Sequence, residues 1–245
     1  MTGGGPEGDA LATFRERMYR SYTTTHAGVQ DGRVEGYAVR KRIVPMLPRD
    51  LGAQIVDIGC GQGNTVRALH EAGYANACGV DISPEQVARA HAMGVRNVIC
   101  QDFTSYLAER AGRLDAVLAT DVLEHCTKLE VLELFGAVRE ALRPGGVFIA
   151  RIPNGASPFV GRIQFGDFTH ETSFTSRSLG QISKVTGFAE STCVDTGPVP
   201  HGLLSGVRFL LWKLVALGLK AALVVETGEP RGHLVGQTVI LRAVR

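Results

Sequence analysis

Three glycines and one acid, all within residues 56–63, are the clearest candidates for binding chemistry in this sequence. Gly59, Gly61 and Gly63 follow a short apolar run and precede a helical pattern, so they predict a loop between a parallel strand and a helix. Glycine lets a ligand approach the backbone because it has no Cβ, and the free N–H groups of the helix's first turn face that ligand. Asp57 stands just before the loop, where a carboxylate opposes a pyrophosphate but attracts an ammonium group. The pattern therefore indicates a site for a ligand that carries an ammonium.

The spacing of the glycines separates this loop from the dinucleotide fingerprint G-x-G-x-x-G. In that fingerprint the third glycine would occupy position 64, which is Asn64 in this chain. The acid before the loop, Asp57, is a second departure from what a pyrophosphate requires. A nicotinamide-dependent oxidoreductase is therefore disfavoured.

The same loop resembles the first motif of class I S-adenosylmethionine-dependent methyltransferases. Four further blocks of that family follow in its order and at its spacing, so that the resemblance covers about residues 50–155. The blocks are residues 79–83 (Gly-Val-Asp-Ile-Ser), 101–103 (Gln-Asp-Phe), 121–125 (Asp-Val-Leu-Glu-His) and 142–146 (Leu-Arg-Pro-Gly-Gly). The resemblance implies an α/β fold with a Rossmann-like, seven-stranded, mostly parallel sheet, an antiparallel last strand and helices on both faces. It also implies S-adenosyl-L-methionine as the cofactor.

The resemblance assigns the part of the cofactor site that holds its methionine and ribose groups. Asp57 would pair with the ammonium, directly or through water, although a role as a loop cap is the alternative. Gly59, Gly61 and Gly63 would let the backbone run against the methionine part. Asp81 ends the second predicted strand, where a carboxylate would accept both ribose hydroxyls.

The other implied cofactor residues surround the adenine and the donor methyl group. Ile82 would lie against the adenine, and Asp102 would accept its amino group with Phe103 beside it. Asp102 could also cap the helix predicted at 104–111, and both roles can hold together. Asp121 follows the fourth predicted strand, where the family's chain passes the donor methyl.

Three histidines near the expected mouth of the site could serve the acceptor. Methyl transfer from a sulfonium is an in-line displacement, and a hydroxyl acceptor must also lose a proton. His170, with Asp167 close in sequence, is the first candidate for a base or an orienting group, followed by His125 and then His201. A structural role is open for each of them. Asp167, His170 and Glu171 could instead bind a divalent metal, but mixed ligands at loose spacing do not predict a metal site.

Two loop segments suggest the class of acceptor. Residues 166–171 and 197–202 resemble a subgroup of these methyltransferases associated with polysaccharide and glycoside assembly. This resemblance implies methylation of a hydroxyl on a sugar-like or glycosylated natural product. Because fold and donor site do not fix the acceptor, N-methylation of an aminosugar or another small amine is the alternative. A catalytically idle interaction subunit is a further hypothesis, which the acids at 57, 81 and 102 disfavour.

Composition limits the partners and the compartment. An apolar fraction of 44% and a charged fraction of 20% are typical of a globular protein. A net charge of +2 argues against a nucleic-acid partner bound through a basic surface. The five cysteines are scattered without a C-x-x-C pair, which indicates free thiols in a reducing compartment. The first nine residues are Gly-rich and polar, so we expect no signal peptide and a cytoplasmic location.

Alternating strand and helix patterns predict the elements that position these residues. Such an alternation requires right-handed crossovers and a parallel sheet. After it, a long loop at 153–176 leads to a helix at 177–186, a strand at 190–195 and an antiparallel strand at 237–242. The strands of the alternation are predicted at 54–58, 77–80, 97–100, 115–120 and 146–152, and the helices at 65–72, 84 onwards, 104–111 and 128–142.

Two helical segments accompany the methyltransferase domain predicted at 49–245. Residues 1–8 are expected to be a disordered tail, and residues 9–48 a helical cap that either lies over the cofactor or simply packs on the sheet. Residues 203–226 form an apolar helical insertion. Its three cations, Arg208, Lys213 and Lys220, disfavour a membrane span. A lid, a homodimer surface and a helix resting on a membrane are the remaining interpretations.

Overall fold

The computed structural model describes residues 32–245, and a seven-stranded sheet organises them. The strand order is β3-β2-β1-β4-β5-β7-β6; β7 alone runs antiparallel to its neighbours, β5 and β6. The predicted Rossmann-like fold with one antiparallel last strand is therefore confirmed. The strands are β1 Ile55–Ile58, β2 Ala77–Asp81, β3 Val98–Cys100, β4 Leu114–Thr120, β5 Leu142–Pro153, β6 Glu190–Asp195 and β7 Thr238–Val244.

Helices follow most of the strands and cover both faces of the sheet. A 3-10 turn at Val44–Met46 follows the first helix, and another at Leu123–His125 follows β4. The helices are α1 Gly32–Arg42, α2 Asn64–Glu71, α3 Pro84–Ala92, α4 Phe103–Ala108, α5 Lys128–Ala141, α6 Gly161–Gln164, α7 Ser176–Val185 and α8 Leu203–Thr227.

The central strands are apolar throughout because helices bury both of their faces. In β4, Val117 and Ala119 join a core cluster with helices α4, α5 and α7, whereas Ala116 and Leu118 join a second cluster with α1 and α2. Alternate residues of one strand thus serve opposite faces. This double burial fixes the register of β4, and with it the position of the residues that follow the strand.

The structure differs from the sequence-based boundaries in three places. Within the helical cap predicted at 9–48, α1 ends at Arg42, and Pro45 lies in the 3-10 turn that follows, because proline cannot continue the helical hydrogen bonds. Strand β5 begins at Leu142 rather than at 146, since its pairing with β4 skips from Leu142 to Val147 over a bulge. The loop predicted at 153–176 contains the short helix α6. The expected tail at 1–8 and the first part of the expected helical cap, residues 9–31, lie outside the described residues.

Helix α8 is the apolar insertion predicted before the last strand, and it is exposed along most of its length. Within α8 only Ser205 is buried. The side chains of Leu203, Leu210 and Leu214 are 87%, 64% and 69% exposed. Over residues 32–245, no helix has both the length and the apolar character that crossing a bilayer requires.

Two glycines give opposite predictions for stability. A Cβ at Gly79 in β2 would lie 2.5 Å from Cys60 Sγ and 2.9 Å from Val66 Cγ2, whereas a Cβ at Gly136 in α5 would meet nothing within 4 Å. We expect Gly79→Ala to lower the free energy of unfolding by about 1–3 kcal/mol through overpacking. Gly136→Ala should raise it by roughly 0.5–1 kcal/mol, because alanine loses less entropy in a helix. Urea denaturation of both variants checks this, and midpoints shifted in the same direction would contradict it.

Candidate active site

Charged side chains line the edge of the sheet at which the parallel strands end. Following the strand order from β3 to β5, these are Asp102, Asp81, Asp57, Asp121 and Arg151. The carboxyl ends of parallel strands meet at one edge, where open α/β sheets bind their ligands. The structure therefore brings residues from five separate strand ends into one row.

The glycine loop between β1 and α2 is open towards this row. Gly59, Gly61 and Gly63 have φ values of +63°, +52° and +74°, a region that other residues rarely adopt. A Cβ at Gly59 would lie 2.7 Å from Val122 Cγ2, so glycine is required for the loop to approach the end of β4. A Cβ at Gly61 would meet nothing within 4 Å, so this face of the backbone is accessible to a ligand.

Asp57 is a buried acid with an unused oxygen. Its side chain is 2% exposed, and its Oδ1 accepts no hydrogen bond from any residue in the described range. Burial raises the pKa of Asp57 well above its usual value; Glu35 and Asp81 raise it further, while Arg151 and Thr65 oppose the rise. A buried acceptor without a donor costs free energy, and a ligand ammonium, or a water bound to one, would satisfy it. The residues present therefore fit a ligand of this kind.

Asp81 is held in one orientation by two backbone donors. Gly61 N–H donates to its Oδ2 at 2.7 Å, and Ser83 N–H donates to its Oδ1 at 2.9 Å. Burial raises the pKa of this carboxyl, while the two backbone hydrogen bonds oppose that effect. Each carboxylate oxygen keeps a second lone pair, so Asp81 could accept two ligand hydroxyls in addition.

Three predicted adenine contacts flank Asp81 in different environments. Ile82 is 64% exposed and presents an apolar surface beside the strand end. Asp102 caps α4, because its Oδ1 accepts hydrogen bonds from Ser105 N–H at 2.9 Å and Ser105 Oγ at 3.2 Å. Phe103 is half-buried and packs against the core. The capping role of Asp102 is thus present in the structure, and the adenine contacts stay a prediction.

Helix α1 places an acid beside the glycine loop. Glu35 Oε2 accepts a hydrogen bond of 2.9 Å from Asn64 Nδ2, at the start of α2. Farther along the chain, Val39 in α1 and Ile43 just after its end are buried in the core. The helix therefore packs on the sheet and also reaches the candidate site, and its position over the cofactor stays a prediction.

Asp121 and Arg151 form an ion pair between the ends of β4 and β5. Arg151 Nε donates to Asp121 Oδ1 at 3.1 Å, and a second bond joins Arg151 Nη2 to Asp121 Oδ2. Burial alone would lower the pKa of Arg151, but Asp121, Glu35 and Glu124 together raise it, so the guanidinium stays charged.

Asp121 has a φ of +55°, the only positive value among non-glycine residues in the part of the chain that is described. Strained backbone of this kind clusters at functional sites.

A second group of polar side chains lies beyond Asp121. Glu124 is 1% exposed, and its Oε2 receives no hydrogen bond from residues 32–245. Burial raises the pKa of Glu124 well above its usual range; Asp121 and Asp167 add to the rise and Arg151 reduces it. The carbonyl of Glu124 accepts N–H bonds from Glu171 at 2.7 Å and Thr172 at 3.1 Å. This contact ties the turn after β4 to the loop after β5.

His125 and His170 lie side by side, with ring centroids 4.7 Å apart. Thr169 Oγ1 donates to Asp167 Oδ1 at 2.6 Å, so at 2.8 Å it accepts from His125 Nδ1. His170 Nδ1 donates to the carbonyl of Gln164 at 3.1 Å. These bonds place a proton on Nδ1 of each ring. Burial, reinforced by His170, lowers the pKa of His125 to about 4, so His125 is neutral near pH 7.

The other sequence candidates lie apart from this pair of histidines. His201 is exposed on the loop before α8, where its Nδ1 donates to the Val199 carbonyl at 3.1 Å and its ring lies 6.3 Å from Tyr37. The side chain of Glu171 is exposed, and His170 Nε2 is 3.9 Å from Asp167 Oδ2. The structure therefore groups His170 with His125, Glu124 and Asp167, and places His201 elsewhere.

Comparison with known proteins decides the family. A family model described as "Methyltransferase domain" matches residues 32–190, more than half of the chain. The chain belongs to the methyltransferase-domain family. This membership confirms the predicted enzyme class, a methyltransferase that depends on S-adenosylmethionine.

Similar proteins share the domain but act on different atoms. The chain is 27% identical over 117 residues to a 24-methylenesterol C-methyltransferase 2 of Oryza sativa subsp. japonica, covering 45% of this chain and 31% of the relative. It is 33% identical over 113 residues to a ubiquinone biosynthesis O-methyltransferase of Xanthomonas axonopodis pv. citri, covering 44% and 46%. The chain thus spans less than half the length of these relatives.

A solved structure confirms the methyltransferase fold over nearly the whole chain. A methyltransferase from Archaeoglobus fulgidus, described as dependent on S-adenosylmethionine, superimposes with a TM-score of 0.65 at 18% identity. The match covers 94% of this chain and 99% of that one. Similarity at this level of identity shows the fold and leaves the acceptor open.

Sequence reasoning missed three charged residues of this methyltransferase site. The only sequence signal for Arg151 was that it is a single cation in the apolar run 147–152. The only signal for Glu124 was its place in the 121–125 block. Glu35 gave no signal, because its place beside the loop depends on how α1 packs. The first two could have been found by asking why a charge interrupts or follows a buried strand.

Replacing Asp57 with asparagine should stabilise the ligand-free methyltransferase. Because the folded pKa of Asp57 lies above the unfolded value of about 3.9, the free energy of unfolding falls as pH rises from the unfolded to the folded pKa. Asp57→Asn removes this loss, so its melting temperature should match that of the wild type near pH 4 and exceed it at pH 8. Each kcal/mol corresponds to about 2–4 °C for a domain of this size.

Thermal melts across pH measure this difference. Glu133→Gln, at an exposed position of α5, is the control for loss of one acid and should show no such pH-dependent gain. A wild type more stable than Asp57→Asn at pH 8 would contradict the burial cost.

Proposed function

We propose that this protein transfers the methyl group of S-adenosylmethionine to a hydroxyl of a sugar-like or glycosylated small molecule. The observation that carries the proposal is the position of the paired rings of His125 and His170, with a buried acid, beyond Asp121 and next to a glycine loop with an unused Asp57 oxygen. The loop side suits a cationic donor, and the histidine side suits an acceptor that must lose a proton.

The donor side is formed by residues that complement a positive charge. Bound S-adenosylmethionine supplies a methyl group on a sulfonium and carries an ammonium group. We assign the ammonium to Asp57, whose Oδ1 has no donor in the described residues, and the ribose hydroxyls to Asp81, which two backbone N–H groups orient. Gly61 leaves room for the methionine part. Burial of the acids strengthens their attraction for the cation, because the local dielectric is low.

The acceptor side favours oxygen over nitrogen. A neutral amine attacks a methyl group without help, whereas a hydroxyl needs a group to take its proton. We assign the orientation of the hydroxyl and the uptake of its proton to Nε2 of His125 and His170, whose rings donate through Nδ1. The acceptor oxygen then bonds to the methyl carbon, the carbon–sulfur bond breaks, and the sulfur leaves uncharged. The buried acid Glu124, next to His125 in the chain, suits an acceptor with several hydroxyls.

Family membership supports methyl transfer but does not identify the acceptor. The relatives are named for reactions on a sterol carbon and on a ubiquinone precursor oxygen, so the domain serves more than one kind of acceptor. The resemblance of residues 166–171 and 197–202 to methyltransferases of glycoside assembly favours a polyhydroxylated one. N-methylation of an aminosugar is the second candidate, since an amine would also fit beside buried acids.

Removing His170 should separate methyl transfer from donor binding. We expect His170→Ala to reduce turnover of a hydroxyl acceptor by about 10²–10⁴-fold, the usual contribution of proton transfer, while labelled S-adenosylmethionine binds as in the wild type. Asp81→Ala should instead weaken donor binding at least about 10-fold, as lost charge-assisted hydrogen bonds do. Assays use a panel of sugars, glycosides and aminosugars, and His233→Ala, on the segment before β7, is the control.

The outcomes distinguish the candidate functions. Transfer to amines that His170→Ala leaves unchanged would support N-methylation. Donor binding without turnover of any acceptor on the panel would support an idle interaction subunit and contradict the proposal.

We also propose that helix α8 rests on an anionic membrane surface in the cytoplasm. Leu203, Val207, Leu210, Leu214 and Leu217 repeat at intervals of three and four residues, and all are exposed. They form one apolar stripe, which is long enough to be buried in a lipid interface. The described cysteines are all free thiols, which supports a reducing compartment.

Charge favours lipid over a second copy of the chain as the partner of this stripe. Residues 203–225 contain Arg208, Lys213 and Lys220 and no acid. Two such helices packed together would bring like charges close, which is costly. Anionic lipid instead attracts each cation by about 1 kcal/mol.

Flotation with lipid vesicles tests the membrane contact. The wild type should float with vesicles that contain anionic lipid and float less with neutral vesicles or at high salt. Leu210→Glu and Leu214→Glu should abolish binding, whereas Leu129→Glu, at a leucine of α5 that is 65% exposed, should not. A dimer in light scattering that the two α8 variants disrupt, without vesicle binding, would show that the stripe is a homodimer surface.

A further inference from the structure

Three side chains of the candidate site converge as metal ligands do, and we propose that Glu124, His125 and His170 bind one divalent transition-metal ion, with Zn²⁺ as the best fit. Each offers one ligand atom, and the three atoms lie within 4.8 Å of one another. Ligand atoms about 2.1 Å from a common tetrahedral ion are roughly 3.4 Å apart. The ligand atoms therefore need to approach one another by at most about 1.4 Å, which changes of side-chain torsion can provide.

Both histidines are already held in the tautomer that a metal ligand requires. The Nδ1–H of His125 donates to Thr169 Oγ1, which donates in turn to Asp167, and the Nδ1–H of His170 donates to the Gln164 carbonyl. A metal-binding histidine commonly donates its second ring N–H to a carbonyl or carboxylate, which fixes the ring and raises its basicity. Here His170 donates to the Gln164 carbonyl, and His125 is linked to the Asp167 carboxylate through the Thr169 hydroxyl.

Glu124 supplies the negative charge of the site. Its Oε2 is buried and receives no hydrogen bond from the part of the protein that is described. An ion at this point would satisfy an oxygen that is otherwise costly to bury. No hydrogen bond with a described residue has to be broken at this atom.

The backbone holds the two ligand-bearing segments together independently of an ion. Glu124 and His125 lie in the 3-10 turn after β4, and His170 lies in the loop after β5. The N–H groups of Glu171 and Thr172 donate to the Glu124 carbonyl at 2.7 and 3.1 Å, and Thr172 Oγ1 donates to the Cys126 carbonyl at 2.7 Å. The three ligands therefore belong to one preorganised unit.

The type of ligand selects the type of ion. Two imidazoles and one carboxylate suit Zn²⁺ and its first-row neighbours, whereas Mg²⁺ and Ca²⁺ prefer oxygen ligands. Three protein ligands leave at least one position open, as in catalytic zinc sites. The role of that position rests on the proposed function: with Nε2 of both histidines on the ion, the ion would replace them as the group that activates the acceptor. A hydroxyl bound there would have a lower pKa and would lose its proton to water before attacking the methyl carbon.

Metal titration of the untagged, chelator-treated chain tests the site without donor or acceptor. We expect Co²⁺, as a spectroscopic substitute, to give a visible band that saturates at one ion per chain and that Zn²⁺ displaces. Glu124→Gln and His170→Ala should each weaken binding by at least about 10-fold, the usual effect of losing a metal contact. His233→Ala should bind as the wild type does. Donor binding by all three variants, measured by calorimetry, checks that they are folded.

The possible results separate this inference from the proposed function. No saturable band in the wild type, or equal binding by wild type and both ligand variants, would overturn the metal site. Loss of turnover on chelation that Zn²⁺ restores supports its catalytic role, and unchanged turnover after complete removal of the ion overturns that role. An absence of methyl transfer under every condition would contradict the proposed function while the titration still decides the metal site.

Discussion

The ion pair between Arg151 and Asp121 is the interaction on which the arrangement of this site depends. The guanidinium pairs with Asp121 through two bonds and opposes the rise in pKa of both Asp57 and Glu124. Without this cation, three acids at the ends of β1 and β4 would repel one another in a buried environment. Arg151 thus lets acids of the donor side and the acceptor side lie together, on either side of the position where a methyl group would pass.

The two sides of the site are built by different means. The donor side uses strand ends and backbone N–H groups, with Asp81 held by Gly61 and Ser83. These features follow from the parallel sheet. The acceptor side depends on the contact between the Glu124 carbonyl and the loop that carries His170. Such loops vary more readily than sheets do, which explains how one domain can serve different acceptors.

Stability and binding make opposite demands at the strand ends. A buried acid such as Asp57 or Glu124 costs the ligand-free protein free energy, as their raised pKa values show. The same unsatisfied oxygens are what a cationic ligand would bind most strongly. The positive φ of Asp121 is a further local cost beside them. The large apolar core on both faces of the sheet is what allows the fold to tolerate these costs.

The sequence by itself determined the sheet and the positions of the glycine loop and the strand-end acids, because the signals are local: glycine spacing, apolar runs and acids at strand ends. It also placed β7 and α8, although it missed the early start of β5, where a bulge depends on pairing with β4. Only the tertiary structure decided which histidines meet. His125 and His170 are far apart in the chain, and no periodicity encodes the loop contact that brings them together. The position of Glu35 beside Asp57 and the partner of Arg151 were decided in the same way, because long-range packing sets the distances between charges.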